Sequence, residues 1–165
     1  MSSVLKFYDV DTKYTDYLRK IDSRIPNIVY GTNNKFVCGV VLEISGYKYF
    51  APISSKTEKQ RTGILIQDKN GTALSSIKFC FMFPAPDSVV SYKDFAEVSK
   101  VDKSYANLLE IEWEYCKNNE KNIYEKAKKV YKIGCNKKHV LNMHCCDFHS
   151  LEKAHDEWVS GSNKK

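Results

Sequence analysis

Two serines, Ser54 and Ser55, follow directly on the apolar stretch from Tyr47 to Ile53, and Lys56, Thr57, Lys59 and Arg61 come just behind them. Hydroxyl and cationic groups at that density suit a phosphodiester, whose non-bridging oxygens accept hydrogen bonds and attract positive charge. No glycine-rich run precedes a lysine here, so this is not a P-loop. No carboxylate cluster beside it suggests magnesium. Taken alone, the decapeptide APISSKTEKQ reads more readily as an ordinary polar loop.

A second group of candidates lies further on. Seven lysines and a single acid, Glu125, fall between Lys121 and Lys138. Lys128 and Lys132 are one helical turn apart, and Lys126 and Lys129 nearly so. Such a ridge can follow a phosphate backbone, although charge runs are usually solvated helix faces. Cys135, His139, His144, Cys145, Cys146 and His149 invite a zinc reading. Their spacing matches no standard finger, so they are expected to be buried thiols and surface imidazoles.

The elements that must position these groups are legible in the pattern. A short strand through Phe7 and Tyr8 precedes a helix capped by Asp11 or Thr12, with Tyr14, Tyr17, Leu18 and Ile21 on one side. A loop spans about residues 25 to 34. Phe36 to Ile44 and Tyr47 to Ile53 form a hairpin turning at Ser45-Gly46. GILIQDKNGTAL is a second hairpin, turning at Asn70-Gly71. IKFCFMF alternates, with Ile77, Phe79, Phe81 and Phe83 on one face and Lys78, Cys80 and Met82 on the other. SVVSYKDF is one more short strand. Helices follow over residues 104 to 117, over 120 to 133 with Gly134 as its stop, and from an Asp147 cap to about Trp158. Strands first and helices last predict one α+β domain over residues 1–165, with residues 160–165 as a flexible tail.

At 165 residues and 42% hydrophobic content the chain is long and apolar enough for a real core. A net charge of +6 with 13% aromatics is compatible with nucleic-acid binding and equally with a merely basic protein. No segment reads as a signal peptide or a membrane span, and the scattered cysteines suit a reducing cytoplasm.

Four stretches, KFYDVDTKYTDYL, KFVCGVVLEISGYKYFAPISS, IKFCFMFP and CDFHSLEKAHDEW, occur in one order over nearly the whole chain. Together they resemble the toxins of type III toxin–antitoxin systems, the ToxN, AbiQ and CptN endoribonucleases. The resemblance implies a compact, strongly bent antiparallel sheet flanked by helices, an SH3-like barrel similar to the MazF and CcdB toxins. It implies RNA cleavage without metal or other cofactor, and a bacterial cytoplasmic role in phage defence by abortive infection. The implied partner is a small RNA antitoxin of pseudoknot repeats, which the toxin processes and which inhibits it in a closed assembly. Carried onto this chain, the family's catalytic positions fall on Tyr14, Lys35, Ser54 and Ser55, with Ser55 the most important. Thr57 stands where the family often has lysine, and the lysine comes one residue early as Lys56. Gly31 stands where a loop tyrosine is expected, with Tyr30 adjacent. Thr57, Lys59, Arg61, Tyr30 and Lys78, with Lys126, Lys128, Lys129 and Lys132, are the candidate RNA contacts. The alternatives are a non-catalytic RNA-binding module and a toxin that blocks a protein target from the same scaffold.

Overall fold

The computed structural model describes residues 5–27 and 35–163. Strand β1 (Lys6–Val10) leads into helix α1 (Thr12–Ile21). The Asp11 carboxylate accepts from the Lys13 N–H at 2.9 Å, satisfying one of the helix's free amides. Tyr14 and Leu18 are buried, whereas Ile21, expected on the same face, is exposed.

β2 (Val37–Ile44) and β3 (Tyr47–Ser54) form the expected hairpin. Ser45 and Gly46 take positive φ values of 52° and 84°. Two such residues in succession match the twist of the flanking strands. β4 (Gly63–Gln67) and β5 (Ala73–Lys78) form the second hairpin. Its loop is tied by the Asp68 carboxylate, which accepts from the N–H groups of Asn70 and Thr72.

The strand expected through Phe83 stops at Lys78. Phe79–Phe81 winds into a single tight helical turn, and a two-residue strand β6 (Phe83–Pro84) follows. Phe79, Cys80, Met82 and Phe83 are all buried. Apart from Lys78, every residue in that run is apolar, so both faces of the alternation can be buried and nothing requires an extended, half-exposed strand. β7 (Val90–Tyr92) is present as expected, and a helix not read from the sequence, α2 (Phe95–Val101), comes next. Asp94 caps it by accepting from Ala96 and Glu97.

The remaining helices are α3 (Lys103–Asn118), α4 (Glu120–Cys135) and α5 (Phe148–Asn163). Gly134 does not stop α4, which runs through it. A Cβ at this position would run into the Phe148 ring of α5, so the glycine serves a close helix–helix approach. α5 continues past Trp158 into the stretch expected to fray.

All strand pairings are antiparallel. The order is β4-β5-β3-β2-β1-β7, with β6 also on β3, and the sheet does not close. A register shift between Gly39 and Leu42 bends the central hairpin. α4 packs on β2 and the turn after β5, while α5 packs on β6 and α1. Tyr14, Tyr49, Phe50, Phe79, Phe83 and Phe148 fill the space between. Burying each such ring contributes roughly 1.5–3 kcal/mol of apolar transfer. No helix among the described residues is long and apolar enough to cross a membrane.

Candidate active site

The carboxyl end of β3 lies between two neighbours. On one side the Ile53 N–H donates to the Phe36 carbonyl, and Val37 pairs with Pro52. On the other side Ile53 pairs with Ile77 and Ser54 with Ser76. Counting along the ladders places Lys35 beside Ser54 and Lys78 beside Pro52. Side chains alternate along strands, so Lys35, Pro52, Ser54 and Lys78 share one face. That face opens into a cleft of about 540 Å³, which all four line.

The loop after β3 closes one side. The Ser54 Oγ accepts from the Lys56 N–H at 3.2 Å, and the Ser76 Oγ donates to the Lys56 carbonyl at 2.8 Å. These bonds turn the chain back so that Lys56, Gln60 and Arg61 also face the cleft. Leu141 and His144 come from the far end of the chain. Their segment is clipped in place at three points. The Cys146 N–H donates to the Cys80 carbonyl, the Asp147 N–H to the Asp22 carboxylate, and the Arg24 guanidinium to the Met143 carbonyl. Arg24 also pairs with Asp22 at 2.9 Å, and its hydrogen bond helps hold the Asp22 pKa below its ordinary value against the opposing effect of burial.

Lys78 is unusual among these groups. It is only 5% exposed, and its Nζ has no hydrogen-bond partner among the described residues. Burial lowers its pKa from a lysine's ordinary value. Lys56 acts in the same sense, and Cys80 and Glu58 oppose it.

Of the expected catalytic residues, the cleft thus gathers Lys35, Ser54 and Lys56. Ser55 is exposed on the same loop, as are Thr57 and Lys59, and none of the three lines the cleft. Tyr14 is not brought there. It is fully buried, donates to the Pro84 carbonyl at 2.6 Å and packs edge-on against Trp158. Burial raises its pKa well above the ordinary phenol value, so its hydroxyl is a fixed core donor. Tyr30 lies outside the described residues.

The lysine ridge divides in two. Ile123, Ala127, Val130 and Ile133 form the buried face of α4. At 100° per residue, Lys128 and Lys132 project from the opposite face, where both are exposed. Lys126 and Lys129 lie on a flank and, with Ile64, Asn122 and Glu125, line a hollow of about 370 Å³. Burial lowers the Lys126 pKa, and the charges of Lys129, Arg61 and Lys59 add to that effect. The flank is therefore electrostatically continuous with the loop that walls the cleft.

Sequence reasoning singled out neither Gln60 nor His144 for the cleft. Gln60 arrives with the loop after β3, and His144, exposed as expected, comes from a segment held there by long-range packing that no local pattern announces. Cys145 and Cys146 are buried, as expected.

A family model described as toxin ToxN of type III toxin–antitoxin systems matches residues 6–156. The chain is 29% identical over 169 residues to the endoribonuclease ToxN of Bacillus thuringiensis subsp. kurstaki, covering 97% of this chain and 87% of that protein. It is 29% identical over 134 residues to the endoribonuclease ToxN of Pectobacterium atrosepticum, covering 74% and 77%. A solved structure from work on type III toxin–antitoxin systems, concerning selective toxin inhibition by a non-coding RNA pseudoknot, superposes with a TM-score of 0.88. It is 28% identical, and the match covers 95% of this chain and 99% of that one.

Proposed function

This chain belongs to the ToxN family of type III toxin–antitoxin toxins, and from that premise we propose that it is a metal-independent endoribonuclease whose cleft holds one scissile phosphate. The observation that carries the reading is the convergence of Lys35, Ser54, Lys56, Arg61 and Lys78 on one cleft in a chain that matches the family over residues 6–156. The 2′-hydroxyl of the ribose attacks its own phosphorus, leaving a 2′,3′-cyclic phosphate and a 5′-hydroxyl. That reaction needs a base, an acid and cationic donors for the phosphorane, but no metal. Serine without a histidine partner is a poor nucleophile, so Ser54 and Ser55 are assigned hydrogen bonds to phosphate oxygens.

The whole chain acts as one toxin domain in the bacterial cytoplasm, in phage defence by abortive infection. Its partner is a small RNA antitoxin of pseudoknot repeats, which it cuts into units and which then inhibit it in a closed protein–RNA assembly. The relatives named above as endoribonucleases, and the inhibition by an RNA pseudoknot reported for the structural neighbour, support this. The bent, antiparallel sheet is read as an SH3-like barrel opened at its edges, of the kind found in the MazF and CcdB toxins. The support is the bulge in the β2–β3 hairpin and the position of β3 between two hairpin partners.

The test is incubation of the purified protein with RNA in EDTA. Discrete cuts ending in 2′,3′-cyclic phosphate are expected at the rate seen without chelator. Activity that disappears in EDTA and returns with magnesium or zinc would sink the mechanism.

A further inference from the structure

Transesterification of RNA needs a group that accepts the 2′-hydroxyl proton near neutral pH, and the cleft offers several cations but few bases. Lys56 and Arg61 are exposed at its wall. An exposed ammonium or guanidinium serves chiefly as a hydrogen-bond donor. Lys78 is placed differently. It ends β5, beside Pro52, on the face of the sheet that carries Lys35 and Ser54. Its side chain is 5% exposed and its Nζ has no partner among the described residues. A buried amine with no counter-ion favours its neutral form, because desolvation penalises the charge.

Charged and titratable groups approach it from several segments. From the loop after β3 come Lys56 and Glu58, of opposite sign, and from the turn after β5 comes the Cys80 thiol. Arg61 from the loop after β3, and Lys35 and His144 from two other segments, line the same cleft. Arg24 lies near Cys80. Glu58 and Cys80 are the groups whose charge favours an ammonium. Glu58 is exposed, and burial holds the Cys80 thiol protonated by raising its pKa. Neither supplies a hydrogen-bonded counter-ion to Lys78.

Resting on the ribonuclease reading above, we propose that Lys78 is the general base of the reaction. Its neutral Nζ takes the 2′-hydroxyl proton as O2′ bonds to phosphorus. The P–O5′ bond breaks, and the departing 5′-oxygen receives a proton from the Lys35 ammonium. The cyclic phosphate and the 5′-hydroxyl leave, Lys78 remains as ammonium and Lys35 as amine, and solvent resets both. The sheet register provides the separation this needs. Lys35, just ahead of β2, and Lys78, at the end of β5, flank β3 on its two sides; two strand spacings across and two residues along put their backbones about 12 Å apart, with Ser54 on the strand between them to hold the phosphate. The lowered pKa of Lys78 agrees with the role.

The experiment measures single-turnover cleavage of a short RNA carrying one cut site, across pH, for wild type, Lys78→Met and Lys78→Arg. A matching RNA has sulfur in place of the bridging 5′-oxygen. A thiolate leaves without being protonated, so that substrate rescues the loss of an acid but not the loss of a base. Wild type should show a rising acidic limb. Lys78→Met should lose about 10²–10⁴-fold, lack that limb and remain slow on the sulfur substrate. Lys78→Arg, which keeps the charge but cannot act as a base, should be equally slow. Lys35→Ala should be rescued by sulfur.

Rescue of Lys78→Met by sulfur, or wild-type rates in either Lys78 variant, overturns the assignment. A wild-type protein that leaves RNA intact overturns the ribonuclease reading itself, which is a distinct result. Methionine fills the space of the lysine stem, so Lys78→Met should melt no lower than wild type. If it does not fold, the lysine Cε resonances of the unsubstituted protein decide the matter. Lys78 should titrate below the main body of lysine signals, Lys126 aside, and a Lys78 that titrates with them overturns the proposal.

Discussion

The cleft floor and the outer face of α4 are both rich in lysine, and they use it in opposite ways. Lys78 is buried, held by strand register and without a hydrogen-bond partner among the described residues. Lys128 and Lys132 project into water from a helix whose packing does not involve them. In the first setting the charge is costly, so the group is prepared for proton exchange. In the second the charge is well solvated and screened, and it serves only to attract another charge over a Debye length. Lys126 and Lys129 stand between the two, on the flank that meets Arg61 and Lys59. Chemistry and affinity are thus separable along one molecule, and mutation can test the division.

The largest effects belong to the cleft. Ser54→Ala and Ser55→Ala should each slow RNA cleavage by about 10²–10³-fold, as removal of a donor to a developing oxyanion does. Circular dichroism should be unchanged in both, as should the melting of Ser55→Ala; Ser54→Ala, which loses the acceptor for the Lys56 N–H, should melt slightly lower. A wild-type rate for Ser54→Ala breaks the geometric assignment. A wild-type rate for Ser55→Ala breaks the one that rests on resemblance, since that side chain lies outside the cleft lining.

A smaller effect is expected on the flank. Reversing charge at Lys126 and Lys129 should weaken RNA binding and reduce its salt slope by about 0.7 per lost phosphate contact. Cleavage of a short unstructured RNA at saturation should change little. The same reversal at Lys128 and Lys132 should weaken binding less, because those side chains point away from the cleft. Equal losses in the two double variants would show that the whole helix is wrapped by RNA and that the division into flank and outer face has no functional meaning.

Least affected should be the activity of Tyr14→Phe. The Pro84 carbonyl loses its donor in the core, so stability should fall by about 1–3 kcal/mol. The folded protein should cleave RNA at close to the wild-type rate. A large loss of rate with unchanged stability would mean that Tyr14 leaves the core to reach substrate.

Much of this architecture was readable from local pattern. The β2–β3 hairpin is specified by β-branched residues around a Ser-Gly turn, and α1 by its Asp11 cap. What escaped was decided by distant partners. Gly134 resembles a helix stop until Phe148 is placed against it. The run after Ile77 resembles a strand until both its faces are seen to be buried. Ser54, Lys56 and Arg61 do share one cleft, and the hydroxyls and cations at the end of β3 were legible. Which lysine is buried was not, because Lys78 sits in an alternating run that reads as half-exposed, and only the loop after β3 and the segment around Leu141 enclose it. His144 shows the same limit, since its place depends on a clip through Asp22, Arg24 and Cys80.

The register that puts Lys35, Ser54 and Lys78 on one face has a consequence for inheritance. Strand alternation has a period of two, so a slip of one residue between β2 and β3 turns their side chains over as a set. The length of the Ser45-Gly46 turn, ten and eleven positions from Lys35 in sequence, sets that register together with the bulge between Gly39 and Leu42. In cells made to express the gene without the RNA antitoxin proposed above, survivors should therefore include single-codon insertions and deletions at this turn as well as substitutions in the cleft. Sequencing such survivors would show whether the reading frame of the sheet is as vulnerable a target as the residues it aligns.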